Sequence, residues 1–226
     1  MDYDGTTFRT TSGKARFSRT ELRDMTISIL VLAAAFTLIY ASRNNGSVMR
    51  ACETVFNDSI GAYAGLFLVS IGLVVVSFLF HELGHKFVAQ RRGFWSEYRM
   101  FPAGLLFTLL ISLAGFLFAA PGAVMIAGPL SDEDNGRISI AGPAVNMVIS
   151  AIGLAGCVAL NGDIAVVPFY LLASLNASLA LFNLIPIPPL DGSKIIRWNV
   201  IVWIVGIAIA AAEFLALFKM SLYYYA

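Results

Sequence analysis

The chain has 226 residues, 58% hydrophobic and 13% charged, with a formal net charge of +1. Soluble domains are about half apolar and about a quarter charged, so this balance, with a mean hydropathy of +0.79, excludes an ordinary soluble domain. The small net charge excludes a nucleic-acid surface, and two cysteines, Cys52 and Cys157, exclude a disulfide scaffold or a cysteine-based zinc site.

In chain order, residues 1–24 read as a polar leader carrying Arg9, Lys14, Arg16, Arg19 and Arg23. It lacks a short apolar region with a small-residue cleavage site, so it is expected to stay attached, on the cytoplasmic side. Residues 25–41 form a short first span, and 42–59 a polar loop with Asn44, Asn45 and Gly46. Residues 61–90 form a long helix in which the apolar run LFLVSIGLVVVSFLF leads into HELGHKFVAQRR. The next loop holds Phe94, Trp95, Glu97, Tyr98 and Arg99, whose aromatics suit a membrane interface.

Residues 104–120 are apolar, Pro121 and Gly122 interrupt, and AVMIA at 123–127 is a short strand or re-entrant piece. SDEDNG at 131–136 reads as an acidic loop. Residues 138–160 span again, near Gly142, Pro143 and Asn146, and Asn161, Gly162 and Asp163 turn the chain. Residues 164–185 form the next span and run into NLIPIPPLDG; residues 195–218 form the last, with Lys219 and Tyr223 to Tyr225 at its interface end.

The expected fold is therefore an all-α polytopic membrane protein with about six transmembrane segments. A short β or re-entrant element lies between the helix at 61–90 and the next core helix. Residues 25–222 form one transmembrane domain, with an apolar insert at 104–129 and an LDG motif at 190–192.

Basic residues prefer the cytoplasmic side. They cluster in the leader, at Lys86, Arg91, Arg92 and Arg99, and at Lys194 and Arg197. The first helix thus runs outward, and the second returns His81 and His85 to the inner side, where Asp191 also arrives. For 138–160 to run outward, the insert must leave and return on one side, as a hairpin or a re-entrant segment.

The two histidines of the chain, His81 and His85, are four apart and share one helix face. Such a pair can hold one zinc, with Glu82 beside it to take a proton from water. The competing reading, buried histidines packing two helices, is weakened by the cost of ionisable groups at membrane depth.

A hydrolytic zinc site needs a third protein ligand. The candidates are Asp191, Asp163, Asp58, Glu97, Asp132, Glu133, Asp134 and Glu213. Asp191 stands out because Pro186, Pro188 and Pro189 fix the chain just before it. Its alternative role is to cap the next helix. Asn183 either donates to a substrate carbonyl or oxyanion or caps its helix. Asn146 ranks below it as a structural residue.

HELGH at 81–85 and NLIPIPPLDG at 183–192 together resemble the two motifs of the site-2 protease family of intramembrane zinc metalloproteases, peptidase family M50, in its compact form. GRISIAGPAVN at 136–146 is similar to that family's helix opening with Gly-Pro and carrying an Asn. The resemblance implies His81, His85 and Asp191 as ligands of one zinc per chain. It implies Glu82 as catalytic base and Asn183 as an assisting group near substrate.

It further implies a multi-pass enzyme of the cell membrane, its site opening to the cytoplasm. The substrate would be a single-pass transmembrane protein in the lipid bilayer, cut within or near its helix. No loop between the motifs is long enough for the PDZ domain of many relatives, and the apolar stretch 104–120 is inserted relative to the smallest cores. A metal-ion transporter using the same ligands and an inactive membrane scaffold are the alternatives. The first predicts a dispensable Glu82, the second no bound metal.

Overall fold

In a computed structural model, residues 17–42, 59–115, 120–160 and 166–225 are described. Most of the leader, the polar loop at 43–58, residues 116–119 of the apolar stretch and the turn at 161–163 lie outside the described residues, as do the side chains of Tyr223 to Tyr225.

The elements are α1 (Arg19–Ser42), α2 (Ser59–Val74), a π turn (Val75–Leu79), α3 (Phe80–Arg91), β1 (Trp95–Met100), α4 (Pro102–Leu113), β2 (Gly122–Ala127), α5 (Asp132–Ala159), α6 (Val166–Asn183), α7 (Asp191–Trp198) and α8 (Val200–Tyr225). Five helical stretches among the described residues are long and apolar enough to cross a membrane: Arg19–Ala41, Ile60–Arg91, Asp132–Ala159, Val166–Asn183 and Val200–Met220. The chain is a multi-pass membrane protein.

Among the described residues the expected count of about six spans is corrected to five. The 12 residues of α4 rise about 18 Å, too little for a hydrocarbon core of about 30 Å. The flanking strands show why parity still holds. β1 and β2 pair antiparallel from Trp95↔Ala127 to Met100↔Gly122, so the insert leaves and re-enters at one hairpin. AVMIA is a strand within β2.

Two helix starts differ from the sequence reading. α1 begins at Arg19, inside the expected leader, because Ser18 Oγ accepts from the Glu21 N–H and Glu21 is buried against the core. The expected acidic loop at 131–136 is mostly the first turns of α5. Ser131 Oγ accepts from the Asp134 N–H at 3.0 Å, and Asp132, Glu133 and Asp134 sit where the helix dipole favours negative charge.

α5 is the centre, packed against α3, α6, α7 and α8. α1 packs on α2, α4 and β1, with Leu32, Ala33 and Phe36 meeting Leu73, Val74 and Leu175. Where α1, α3 and β1 meet, Lys86 Nζ lies 2.8 Å from Glu21 Oε1 and 2.9 Å from the Ser96 carbonyl, the Lys86 and Glu21 side chains being fully buried. Glu21 Oε1 also accepts from the Tyr98 N–H at 2.9 Å. Tyr98 is itself buried, which pushes its phenol well above the ordinary range, and its hydroxyl lies 2.9 Å from Ser28 Oγ.

Candidate metal centre

HELGH starts where the π turn ends. The Phe80 N–H bonds to the Val75 carbonyl instead of continuing the α ladder. A π turn adds a residue and rotates the helix beyond it, and such turns recur at functional sites. α3 then presents His81, Glu82 and His85 to the interior, all buried.

α5 comes close enough to cover them because it is glycine-lined here. A Cβ on Gly142 would stand 2.4 Å from His85 Nε2 and 2.6 Å from His81 Nε2, and one on Gly84 would stand 3.0 Å from the Ala141 carbonyl. Asp191 arrives from the other end of the chain. It is the first residue of α7, after the proline-rich connection from α6.

One oxygen of Asp191, Oδ2, lies 3.1 Å from His85 Nε2 and 3.5 Å from His81 Nε2; the two Nε2 atoms are 3.0 Å apart. Lys194 Nζ approaches the other oxygen, Oδ1, at 3.4 Å. Burial works to raise the Asp191 carboxyl, but the neighbouring imidazoles outweigh it and hold the group well below the ordinary carboxylate range.

The donor set fits a metal. His85 Nδ1 is 2.8 Å from the Ile138 carbonyl, which only accepts, so Nδ1 carries the hydrogen and Nε2 the lone pair. His81 Nδ1 is 2.5 Å from Asn146 Oδ1, with the same consequence. Two imidazole lone pairs and a carboxylate thus converge, their ligand atoms all within 4.8 Å of one another. Three acceptors so close repel unless a cation sits among them. The cluster can hold one zinc per chain.

Glu82 lies beside the cluster, its Oε2 accepting from the Val124 N–H of β2 at 3.2 Å. The other carboxylates considered lie elsewhere. Glu97 pairs with Arg99 on β1. Asp134 pairs with Arg92, and Glu133 with Arg137. Asp132 opens α5 and Glu213 lies on α8, outside the cluster. Asp58 and Asp163 fall outside the described residues. Asn183 donates to the Leu179 carbonyl of its own helix at 2.9 Å.

Sequence reasoning ranked Asn183 above Asn146, yet Asn146 touches a histidine. It also passed over Ser77, Asn176 and the Lys86–Glu21 pair. An asparagine inside an apolar span is expensive unless bonded, and that signal could have found Asn146 and Asn176.

Known proteins bear on this site. The model of peptidase family M50 matches residues 161–217, which include Asp191. MJ0611 of Methanocaldococcus jannaschii, whose assignment as a zinc metalloprotease is provisional, is 35% identical over 200 residues, covering 85% of this chain and 92% of the relative. The chain belongs to peptidase family M50.

This M50 protein is also similar to the zinc metalloprotease MJ0392 of the same organism, 32% identical over 145 residues, covering 64% of this chain and 36% of that protein. YwhC of Bacillus subtilis, another provisional zinc metalloprotease, is 32% identical over 153 residues, 55% of this chain and 65% of its own. No solved structure matches. With the His-His-Asp cluster among membrane-spanning helices, family membership makes this an intramembrane zinc metalloprotease, acting on protein substrates within the bilayer.

Proposed function

We propose that the protein hydrolyses a peptide bond within or near a transmembrane helix of a single-pass membrane protein. The observation that carries this is the convergence of His81, His85 and Asp191 with Glu82 beside them, bonded to the N–H of an open-edged strand. His81, His85 and Asp191 hold the zinc; Glu82 is the catalytic base; Asn183 assists near substrate. The site opens to the cytoplasm, on the side of the basic residues of α3 and α7, and the leader lies on that side of a single domain spanning 25–222.

When bound, zinc supplies Lewis acidity to the attacking water and the scissile carbonyl. Glu82 accepts the water's proton and returns it to the leaving amine. Asn183 spends one amide hydrogen on Leu179 and has a second for a substrate carbonyl. A carbonyl inside a helix is already bonded and sheltered, so the substrate must unwind to react. The free edge of β2 suits an extended segment added as a third strand. Val124 and Ile126, two apart, point their N–H groups to that edge.

The test pairs zinc content with cleavage of a model transmembrane substrate, for wild type and Glu82→Gln in detergent. About one zinc in each with cleavage only by wild type supports the proposal. Equal cleavage by both removes Glu82 from the mechanism. Zinc flux into vesicles that persists in Glu82→Gln favours the transporter reading, and a wild type without zinc defeats the metal site.

A further inference from the structure

His81 and His85 must both present Nε2 lone pairs, yet their Nδ1–H groups are held by different means. For His85 a backbone carbonyl, Ile138, takes the hydrogen directly. For His81 the acceptor is a side-chain amide, which has a donor end and an acceptor end. With the Asn146 amide reversed, its NH2 would face Nδ1. The ring hydrogen would then move to Nε2, pointing at His85 Nε2 3.0 Å away, and would block the metal position.

The surroundings of Asn146 fix its direction. Asn146 Nδ2 donates to the Ser77 carbonyl at 2.9 Å and to Asn176 Oδ1 at 2.7 Å. The Ser77 carbonyl, inside the π turn, can only accept. Asn176 is oriented in turn by the Leu172 carbonyl, which accepts from its Nδ2 at 2.8 Å, and by Ser77 Oγ, also at 2.8 Å. Ser77, Asn146 and Asn176 have no exposed surface, so a reversed amide has no water to turn to.

We propose that Asn176 is a positioning residue for zinc binding: anchored on the Leu172 carbonyl, it locks the Asn146 amide, which holds His81 in its Nδ1–H form. Two backbone carbonyls, on α6 and in the π turn, thereby set the tautomer of a metal ligand. The competing role for Asn176 is plain interhelical glue between α6 and the π turn. The inference rests on the zinc site proposed above but not on proteolysis.

Two variants separate the roles. Asn176→Leu removes both polar ends, whereas Asn176→Asp keeps an acceptor for Asn146 Nδ2. Partners that orient metal ligands are worth about 10- to 100-fold in affinity, and this residue acts one step further out. Zinc dissociation constants are measured on the full chain in detergent, by competition with a chelating indicator. Asn176→Leu should weaken zinc about tenfold, and Asn176→Asp should stay near wild type. Thermal stability should run the other way, because a buried carboxyl costs more than a leucine at this depth. Wild-type zinc affinity in Asn176→Leu, or equal weakening by both variants, overturns the proposal.

A readout without variants uses the two histidines as the only imidazoles. Nitrogen NMR of zinc-free wild type, at a pH where both rings are neutral, should show His81 as its Nδ1–H tautomer. Finding His81 as Nε2–H overturns the lock. Failure of wild type to bind zinc would defeat the metal site and leave this tautomer result to be read by itself.

Discussion

On the helical side of the site, each histidine has its outer ring nitrogen bonded, Asp191 starts a helix, and the amides behind His81 are partnered at both ends. On the hairpin side, among the described residues, β1 and β2 form a sheet of two strands, and β2 meets the site through the bond from the Val124 N–H to Glu82. The contrast fits the two tasks of the function proposed above. A metal needs donors fixed before it arrives, because each loose ligand adds ordering cost. An unwound substrate needs unspent backbone groups, and an open strand edge supplies them.

The sharpest way to break this comparison is at Glu82, which touches both sides. Glu82→Gln should lower cleavage by between about a hundredfold and ten-thousandfold while zinc content stays the same. Loss of zinc from that variant would make Glu82 part of the ligand side.

The strap between the sides comes next. Lys86→Met leaves Glu21 buried without its partner and should cost about 3–5 kcal/mol of stability, whereas Lys86→Met with Glu21→Leu should recover much of it. Thermal unfolding of both in detergent checks this; equal loss would mean that the charges stabilise as a pair.

On the hairpin alone, Ile126→Pro removes one N–H from the open edge of β2 and should reduce cleavage about tenfold, the scale of one or two hydrogen bonds. Zinc content should not move. A drop in zinc would show that the hairpin supports the metal site and would end its reading as a substrate edge.

The smallest effect belongs to a partly exposed contact on the helical side. Arg92→Ala breaks the pair with Asp134 and should cost no more than about 1 kcal/mol, less at high salt. A larger loss in a salt series would show that this bridge anchors α3 to α5.

Much of this protein was legible in its residues for a physical reason. A bilayer demands long apolar helices, so five spans could be read from composition and length, and metal chemistry demands a restricted set of donors at helical spacing, so His81 and His85 stood out as candidates. Asp191 stood out as a candidate because prolines fix the chain before it, and the fold brings its carboxylate to the two histidines. The short insert misled the count of spans, since apolarity alone does not tell a crossing from a re-entry; pairing of β1 with β2 decided that. The acidic stretch before α5 misled because Ser131 caps a helix where turn-forming residues suggested a loop. The cost of a buried amide could have marked Asn146 and Asn176, but which of them reaches a histidine was decided by packing. Asn146, Asn176 and Ser77 lie 30 to 99 residues from their partners, and only helix packing brings such distant polar ends within 3 Å.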